Sequence, residues 1–174
     1  MEPQGAEVID RVLPEGSYVE VANRKKRLKG DLRARFYVYE EKQRIIVSSV
    51  SGIAETGAPT VLALDVSNDE LGRVVCDHLL AFEPETPANL PSNKTEWPAF
   101  IASGARSVSG FESHSWQVLV ETVGDCIRIN ARPLKSLHHE ISVEGIERPH
   151  HANLGAVIRR VLAGALALRE KGVI

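Results

Sequence analysis

Residues 32–39 read Leu-Arg-Ala-Arg-Phe-Tyr-Val-Tyr, the clearest strand pattern in the chain and the one that decides the fold class. Apolar residues alternate with the others at the period of two that places neighbouring side chains on opposite faces of a β-strand. One face is predicted to lie on the core, and the other carries two arginines and two tyrosines: Arg33, Arg35, Tyr37 and Tyr39. A turn at residues 40–43 leads into residues 44–50, which are rich in β-branched side chains and predict a returning strand.

A second hairpin is predicted over residues 116–131, where apolar residues again alternate and Gly124 and Asp125 form the turn. Between the hairpins, residues 60–66 predict a third strand, which follows the break Gly57-Ala58-Pro59. The sheet is predicted to be antiparallel.

Two long helices are predicted from apolar residues that recur at i, i+3, i+4 and i+7. Ser67 and Glu70 form a capping-box pattern at the start of the first helix, which Pro84 ends. Residues 84–94 predict an exposed loop, and residues 97–104 predict one or two helical turns closed by a glycine. The second long helix is predicted to run from Asn153, a candidate cap, to about residue 171.

The two long helices share a pattern at a constant offset of 83 residues, since Leu71-Gly72 recurs as Leu154-Gly155. Each helix follows a hairpin, which suggests two pseudo-repeated ββα halves; a coincidence of common helix residues is the alternative. Because the offset is odd and strand faces alternate, it does not match the inward-facing positions in the first strand of each half. A one-residue insertion or deletion between strand and helix is therefore required. Hairpins with added helices predict an α+β fold, a mainly antiparallel sheet with helices packed on it.

With 174 residues, 43% of them hydrophobic and 25% charged, the chain has the size and composition of one globular domain. We expect a single domain over residues 1–174, with residues 17–171 as the folded core and residues 1–16 as a candidate flexible N-terminus. The longest uncharged apolar run, residues 161–168, is too short to cross a bilayer, and residues 1–16 lack a signal-peptide pattern. A cytoplasmic protein is therefore expected.

The chain lacks the sequence motifs of phosphate-binding loops, serine hydrolases, zinc proteases and Cys-x-x-Cys sites. Cys76 and Cys126 are interpreted as two buried, reduced thiols. His78 lies on an apolar helix stripe, which favours a core histidine with one hydrogen bond over a catalytic one. Four further histidines could ligate zinc or nickel, but solvated loop residues are the favoured interpretation, and no metal or cofactor is predicted: His138, His139, His150 and His151.

The formal net charge is −2, yet charges of opposite sign are segregated along the chain. A basic run at residues 24–29, followed by the arginine and tyrosine face of the first strand, is typical of proteins that bind single-stranded nucleic acid. This alternative uses Arg33, Arg35, Tyr37 and Tyr39, which are equally residues enriched at protein interfaces. An acidic stretch at residues 65–96 indicates either a solvated surface or a docking surface for a basic partner.

Three segments together resemble a known family. They are the hairpin of residues 32–50, the helix start Asp65-Val66-Ser67-Asn68-Asp69-Glu70-Leu71-Gly72, and the segment Ser103-Gly104-Ala105-Arg106-Ser107 to Phe111-Glu112 before the second hairpin. Over residues 30–132 the chain resembles contact-dependent growth inhibition immunity proteins of the CdiI type.

This resemblance implies a small cytoplasmic protein without catalysis that binds and blocks the C-terminal toxin domain of a cognate CdiA, in many cases a nuclease. A nuclease site is cationic because it holds phosphates, so carboxylates on the inhibitor would complement it. The candidate partner-binding residues are Asp69, Glu70, Glu83, Glu85, Glu96 and Trp97. Phe100, Tyr37 and Tyr39 are further candidate anchors, and an exposed sheet edge could pair with the toxin. No membrane partner is expected, and nucleic acid is the less favoured partner.

Overall fold

The computed structural model describes residues 18–135, 143–147 and 151–173. These residues form an α+β fold, as the sequence predicts, with an antiparallel sheet in the order β3-β2-β1-β4-β5-β6. The strands are β1 (Arg33–Tyr39), β2 (Arg44–Ser51), β3 (Ala54–Ala63), β4 (Ser115–Val123), β5 (Cys126–Pro133) and β6 (Val143–Glu147). The helices are α1 (Tyr18–Leu28), α2 (Asn68–Leu80), α3 (Pro98–Ser103), α4 (Val108–Ser113) and α5 (His151–Glu170).

The strand order is that of two similar halves joined along β1 and β4. Each half is a meander of three strands followed by a long helix, because α2 follows β1–β3 and α5 follows β4–β6. Each half is thus βββα where ββα was predicted; its third strand was predicted in the first half, as residues 60–66, but not in the second. Core positions in the strands match at an offset of 82, as in Phe36 and Val118, whereas Leu71 and Leu154 in the helices match at 83. The two offsets differ by one residue, which is the insertion or deletion that the sequence repeat requires.

The main core lies between one face of the sheet and the three helices α1, α2 and α5. Alternate residues of β1, β4 and β5 point into it, and Phe36, Val118 and Ile129 are fully buried there. Ser67 accepts a hydrogen bond from the backbone N–H of Glu70 at 3.2 Å and so caps α2, as predicted. The opposite, outer face of the sheet is covered in part by α3 and α4.

Helices α2 and α5 make a close backbone contact at the start of α2. A Cβ atom placed on Gly155 would lie 2.0 Å from the carbonyl oxygen of Asn68, so only glycine fits there. One turn further along α5, Arg159 donates to the Asn68 side chain at 2.9 Å and to the backbone carbonyl of Leu64 at 3.0 Å. Arg159 also donates to the carbonyl of Val66, so one guanidinium fastens α5 to the segment that enters α2.

Several boundaries differ from the sequence predictions. Strand β3 begins at residue 54 and includes Gly57-Ala58-Pro59, which bulge out of register with β2. This is possible because β3 is an edge strand, where a proline removes no ladder hydrogen bond. Helix α5 begins at His151, before Asn153, and the helices α1 and α4 and the strand β6 were not predicted.

None of the helices in the described residues has the length and apolar character needed to span a membrane.

Candidate partner-binding surfaces

An aromatic cluster covers one half of the outer sheet face. The rings of Tyr37 on β1 and Trp97 before α3 meet edge to face, with centroids 5.2 Å apart. Phe111 of α4 packs against both, at 5.6 Å from Tyr37 and 5.2 Å from Trp97, and contacts Tyr39 at 5.4 Å. Edge-to-face pairs of this kind fix ring orientation as well as burying apolar area. The short helices α3 and α4 are thereby held on the sheet.

A buried carboxylate lies under this cluster. The side chain of Glu55 on β3 is 4% exposed, and it accepts hydrogen bonds from the Tyr37 hydroxyl and from Trp97 Nε1, the latter at 2.9 Å. Arg35 lies 3.6 Å away and forms an ion pair with it. Burial, followed by the Glu55 charge, raises the pKa of Tyr37. Glu55 was not predicted from the sequence, since only strand pairing brings it to these partners.

The tyrosines of the alternative nucleic-acid face are not available for base stacking. Tyr37 and Tyr39 are 0% and 1% exposed because α3 and α4 cover them, so this part of the prediction is wrong. Arg33 and Arg35 do lie on the outer face, where 44% and 27% of their side chains are exposed. The structure therefore separates the predicted face into a covered aromatic half and an open arginine half.

The acidic residues predicted to contact a partner do not form one patch. Asp69 and Glu70 lie in the first turn of α2, where Glu70 pairs with Arg73 at 2.6 Å. Glu83 and Glu85 follow the other end of this helix, which separates the two pairs by about 20 Å at 1.5 Å per residue.

Within the second acidic pair, Glu83 is partly neutralised by Arg24 of α1, at 2.5 Å. Glu85 lies exposed in the loop after α2.

The remaining two predicted contact residues lie on the other side of the sheet. Glu96 is exposed in a short 3₁₀ turn, and the adjacent Trp97 is half-buried in the aromatic cluster. Trp97 thus has a structural role, because its ring and its N–H group both hold the loop on the sheet. The exposed part of its side chain is still open to a partner.

His78 bridges α2 to the sheet and is 8% exposed. Its Nδ1 lies 2.8 Å from the Ser49 hydroxyl and its Nε2 lies 2.9 Å from the Thr60 hydroxyl, so it makes two hydrogen bonds where one was predicted. Burial lowers the pKa of His78, and the charge of Asp77 opposes this effect. The geometry is that of a structural histidine.

Three of the predicted loop histidines lie outside the described residues, as does the side chain of the fourth, His151; the three are His138, His139 and His150. Within residues 18–135, 143–147 and 151–173, no group of three or more His, Cys, Asp or Glu side chains is placed to hold a metal ion. Both cysteines are free, as predicted; Cys76 is buried, whereas Cys126, at the start of β5, is partly exposed. The prediction of two buried thiols therefore holds only for Cys76.

Comparison with known proteins finds similarity of fold alone. No protein-family model matches the chain, and no curated protein matches it. A protein of unknown function from Neisseria meningitidis superposes with a TM-score of 0.55 at 17% identity, covering 78% of this chain and 95% of that one. A chain of the CdiA-CT/CdiI toxin and immunity complex from Yersinia pseudotuberculosis gives a TM-score of 0.55 at 16% identity, covering 76% of this chain and 96% of that one.

Proposed function

We propose that this chain is an immunity protein that binds the C-terminal toxin domain of a cognate CdiA and neutralises it in a tight complex. The observation that carries the proposal is the fold that the chain shares with a member of a toxin and immunity complex. Such a complex holds two kinds of protein. The resemblance of residues 30–132 to the CdiI type favours the immunity member.

The proposed inhibitor acts in the cytoplasm, performs no chemistry and needs no cofactor. Its toxin is proposed to be a nuclease, whose active site must be cationic to hold phosphates. Carboxylates at the two ends of α2 and in the loop before α3 would complement such a site and accelerate association. The contacts proposed for this role are Asp69, Glu70, Glu83, Glu85, Glu96 and Trp97.

The nucleic-acid alternative has less support from the geometry. Binding of single strands relies on aromatic rings on which bases stack. The rings of Tyr37 and Tyr39 are buried beneath α3 and α4, so that of the four residues predicted for this face only Arg33 and Arg35 have exposed side chains. We therefore retain protein binding as the function.

A growth assay tests the proposal. The toxin domain of the proposed cognate CdiA is expressed from an inducible promoter in a laboratory host, with and without this protein. We expect the toxin alone to stop growth, co-expression to restore it, and the two proteins to elute as one complex in size-exclusion chromatography.

Two results would contradict the proposal. If this protein alone arrests growth, it is the toxic member of the pair. If it neither protects cells nor co-elutes with the toxin domain, the immunity function is excluded.

A further inference from the structure

Arginines lie in register across the open half of the outer sheet face. Arg33 on β1 is opposite Glu121 on β4, and Glu121 is opposite Arg128 on β5. The Glu121 carboxylate is 3.4 Å from Arg33 Nε and 3.3 Å from Arg128 Nη1. One carboxylate thus serves two guanidinium groups, and this row of three side chains keeps a net positive charge.

Arg35 lies in the next row, opposite Leu119. Its guanidinium forms the 3.6 Å ion pair with Glu55 and no hydrogen bond with any described residue. The Glu55 carboxylate is already occupied by hydrogen bonds from two aromatic side chains. The Arg128 side chain is 36% exposed, so its guanidinium is open to solvent on the same face. Because a guanidinium has five N–H donors suited to bidentate pairing, this face retains unused capacity for anions.

A cavity of about 270 Å³ adjoins Arg35. The β2–β3 turn contributes Ile53, which is 71% exposed, and the loop before α3 contributes Leu90, which is 43% exposed. Lys94 and Trp97 complete one wall. Large aliphatic side chains that line a concave site and remain exposed are typical of a binding surface.

The loop that forms this cavity is anchored at both ends. At one end Gly52 donates its backbone N–H to the carbonyl of Glu83 at 2.7 Å, and Thr86 packs directly against this glycine. At the other end Trp97 donates to the buried carboxylate of Glu55 at 2.9 Å. The cavity is therefore preformed, which lowers the entropic cost of binding.

We propose that this surface, defined by Arg33, Arg35, Arg128, Ile53 and Leu90, binds an acidic segment of the protein partner. An apolar side chain of that segment enters the cavity, and a neighbouring carboxylate pairs with Arg35. Further acidic residues lie along the row of Arg33 and Arg128.

The aliphatic cavity wall and the burial of both tyrosines favour a peptide over a nucleic-acid strand, which needs stacking surfaces. This inference rests on the proposed function, since the partner is the toxin domain. It adds a cationic contact to the acidic contacts proposed above, so a toxin with separate basic and acidic surfaces would engage both.

Two variants test this surface in calorimetric titrations with the toxin domain of the proposed cognate CdiA. Arg35→Gln removes the proposed carboxylate partner, and Ile53→Asp places a like charge at an exposed position of the cavity. We expect each to raise Kd by at least about tenfold, the loss typical of a central contact, and Arg35→Gln to weaken the salt dependence of binding.

The controls make the same changes on the helical side of the molecule. Arg27→Gln removes an exposed guanidinium from α1, and Val19→Asp adds a carboxylate at another exposed position of the same helix. Both should keep Kd within about twofold of the wild-type value. Arg35→Gln also removes the ion pair of the buried Glu55, so thermal melting must show that this variant is still folded. Ile53→Asp changes an exposed side chain and leaves the core untouched, so it tests the surface even if Arg35→Gln is destabilised.

Each outcome is distinguishable. If the wild-type protein binds the toxin and both variants bind equally well, this surface is excluded and the proposed function stands. If the wild-type protein does not bind the toxin, the proposed function is excluded, and the inference with it. If labelled polyuridine binds the wild-type protein and Arg35→Gln abolishes that binding, the occupant is nucleic acid and the peptide assignment is overturned.

Discussion

Gly155→Ala tests the close packing of the two long helices. The added Cβ would lie 2.0 Å from the Asn68 carbonyl oxygen, 2.8 Å from its carbonyl carbon and 2.9 Å from its Cα. Ordinary contacts begin at 3.4 Å, so the nearest approach is 1.4 Å too short. All three contacts are with backbone, and the strain cannot be relieved by turning a side chain. The start of α2 and the helix α5 must separate.

The expected loss of stability follows from two opposing terms. Overpacking a tight core contact costs about 1 to 3 kcal/mol, and a backbone clash of this size belongs at the upper end. Alanine favours a helix interior over glycine by about 1 kcal/mol, which offsets part of that cost. We therefore expect the free energy of unfolding to fall by about 2 kcal/mol, which corresponds to a decrease in Tm of roughly 4 to 8 °C for a chain of this size.

Urea unfolding followed by circular dichroism measures this change. Gly30→Ala is the matched control, because its added Cβ would meet only the Leu28 carbonyl at 3.8 Å, an ordinary contact, and its stability should stay within about 0.5 kcal/mol of wild type. A Gly155→Ala protein as stable as the wild type, with an unchanged m-value, would show that the helices do not approach this closely.

Three further predictions concern stability and binding. Burial lowers the pKa of His78, so as the pH falls below the ordinary histidine value the unfolded chain takes up a proton at this residue before the folded chain does. Urea melts at pH 7.5 and 5.5 should therefore show the wild type losing more stability on acidification than His78→Gln. Equal losses would contradict this role. Arg169→Ala removes a bidentate pair with Glu40 (2.7 and 2.9 Å) and a contact 5.3 Å above the Trp116 ring. Thermal unfolding should show the free energy of unfolding lowered by about 1 kcal/mol, and Arg169→Lys should lie between Arg169→Ala and the wild type. Lysine at the four acidic positions around α2 should slow association with a basic toxin and reduce its salt dependence in stopped-flow measurements. The variant should still fold, as circular dichroism checks, and unaltered rates would exclude these contacts. The four positions are Asp69, Glu70, Glu83 and Glu85.

The candidate surfaces were only partly predictable. Trp97 and Tyr37 were expected as partner anchors because of their residue types, and the structure places them in contact, but in a role that holds α3 and the loop on the sheet. Glu55 carries no local signal, since it becomes a shared acceptor only when β3 pairs beside β2 and β1. The acidic residues were predicted as a group from nearness in sequence, yet four of them lie at the two ends of α2 and Glu96 lies on the other side of the sheet.

Local pattern alone determined the α+β class, both hairpins, the cap at Ser67 and the repeat of Leu71-Gly72 in Leu154-Gly155, because periodicity and capping depend on residues a few positions apart. Contacts between distant segments set the remaining features. Pairing of β1 with β4 and of β4 with β5 set the shared carboxylate between Arg33 and Arg128. Packing of α3, α4 and the loop before α3 on the sheet covered the tyrosines and formed the cavity beside Arg35. These contacts join residues far apart along the chain. Their geometry depends on strand register and on which face the short helices cover, and neither is encoded in any single segment.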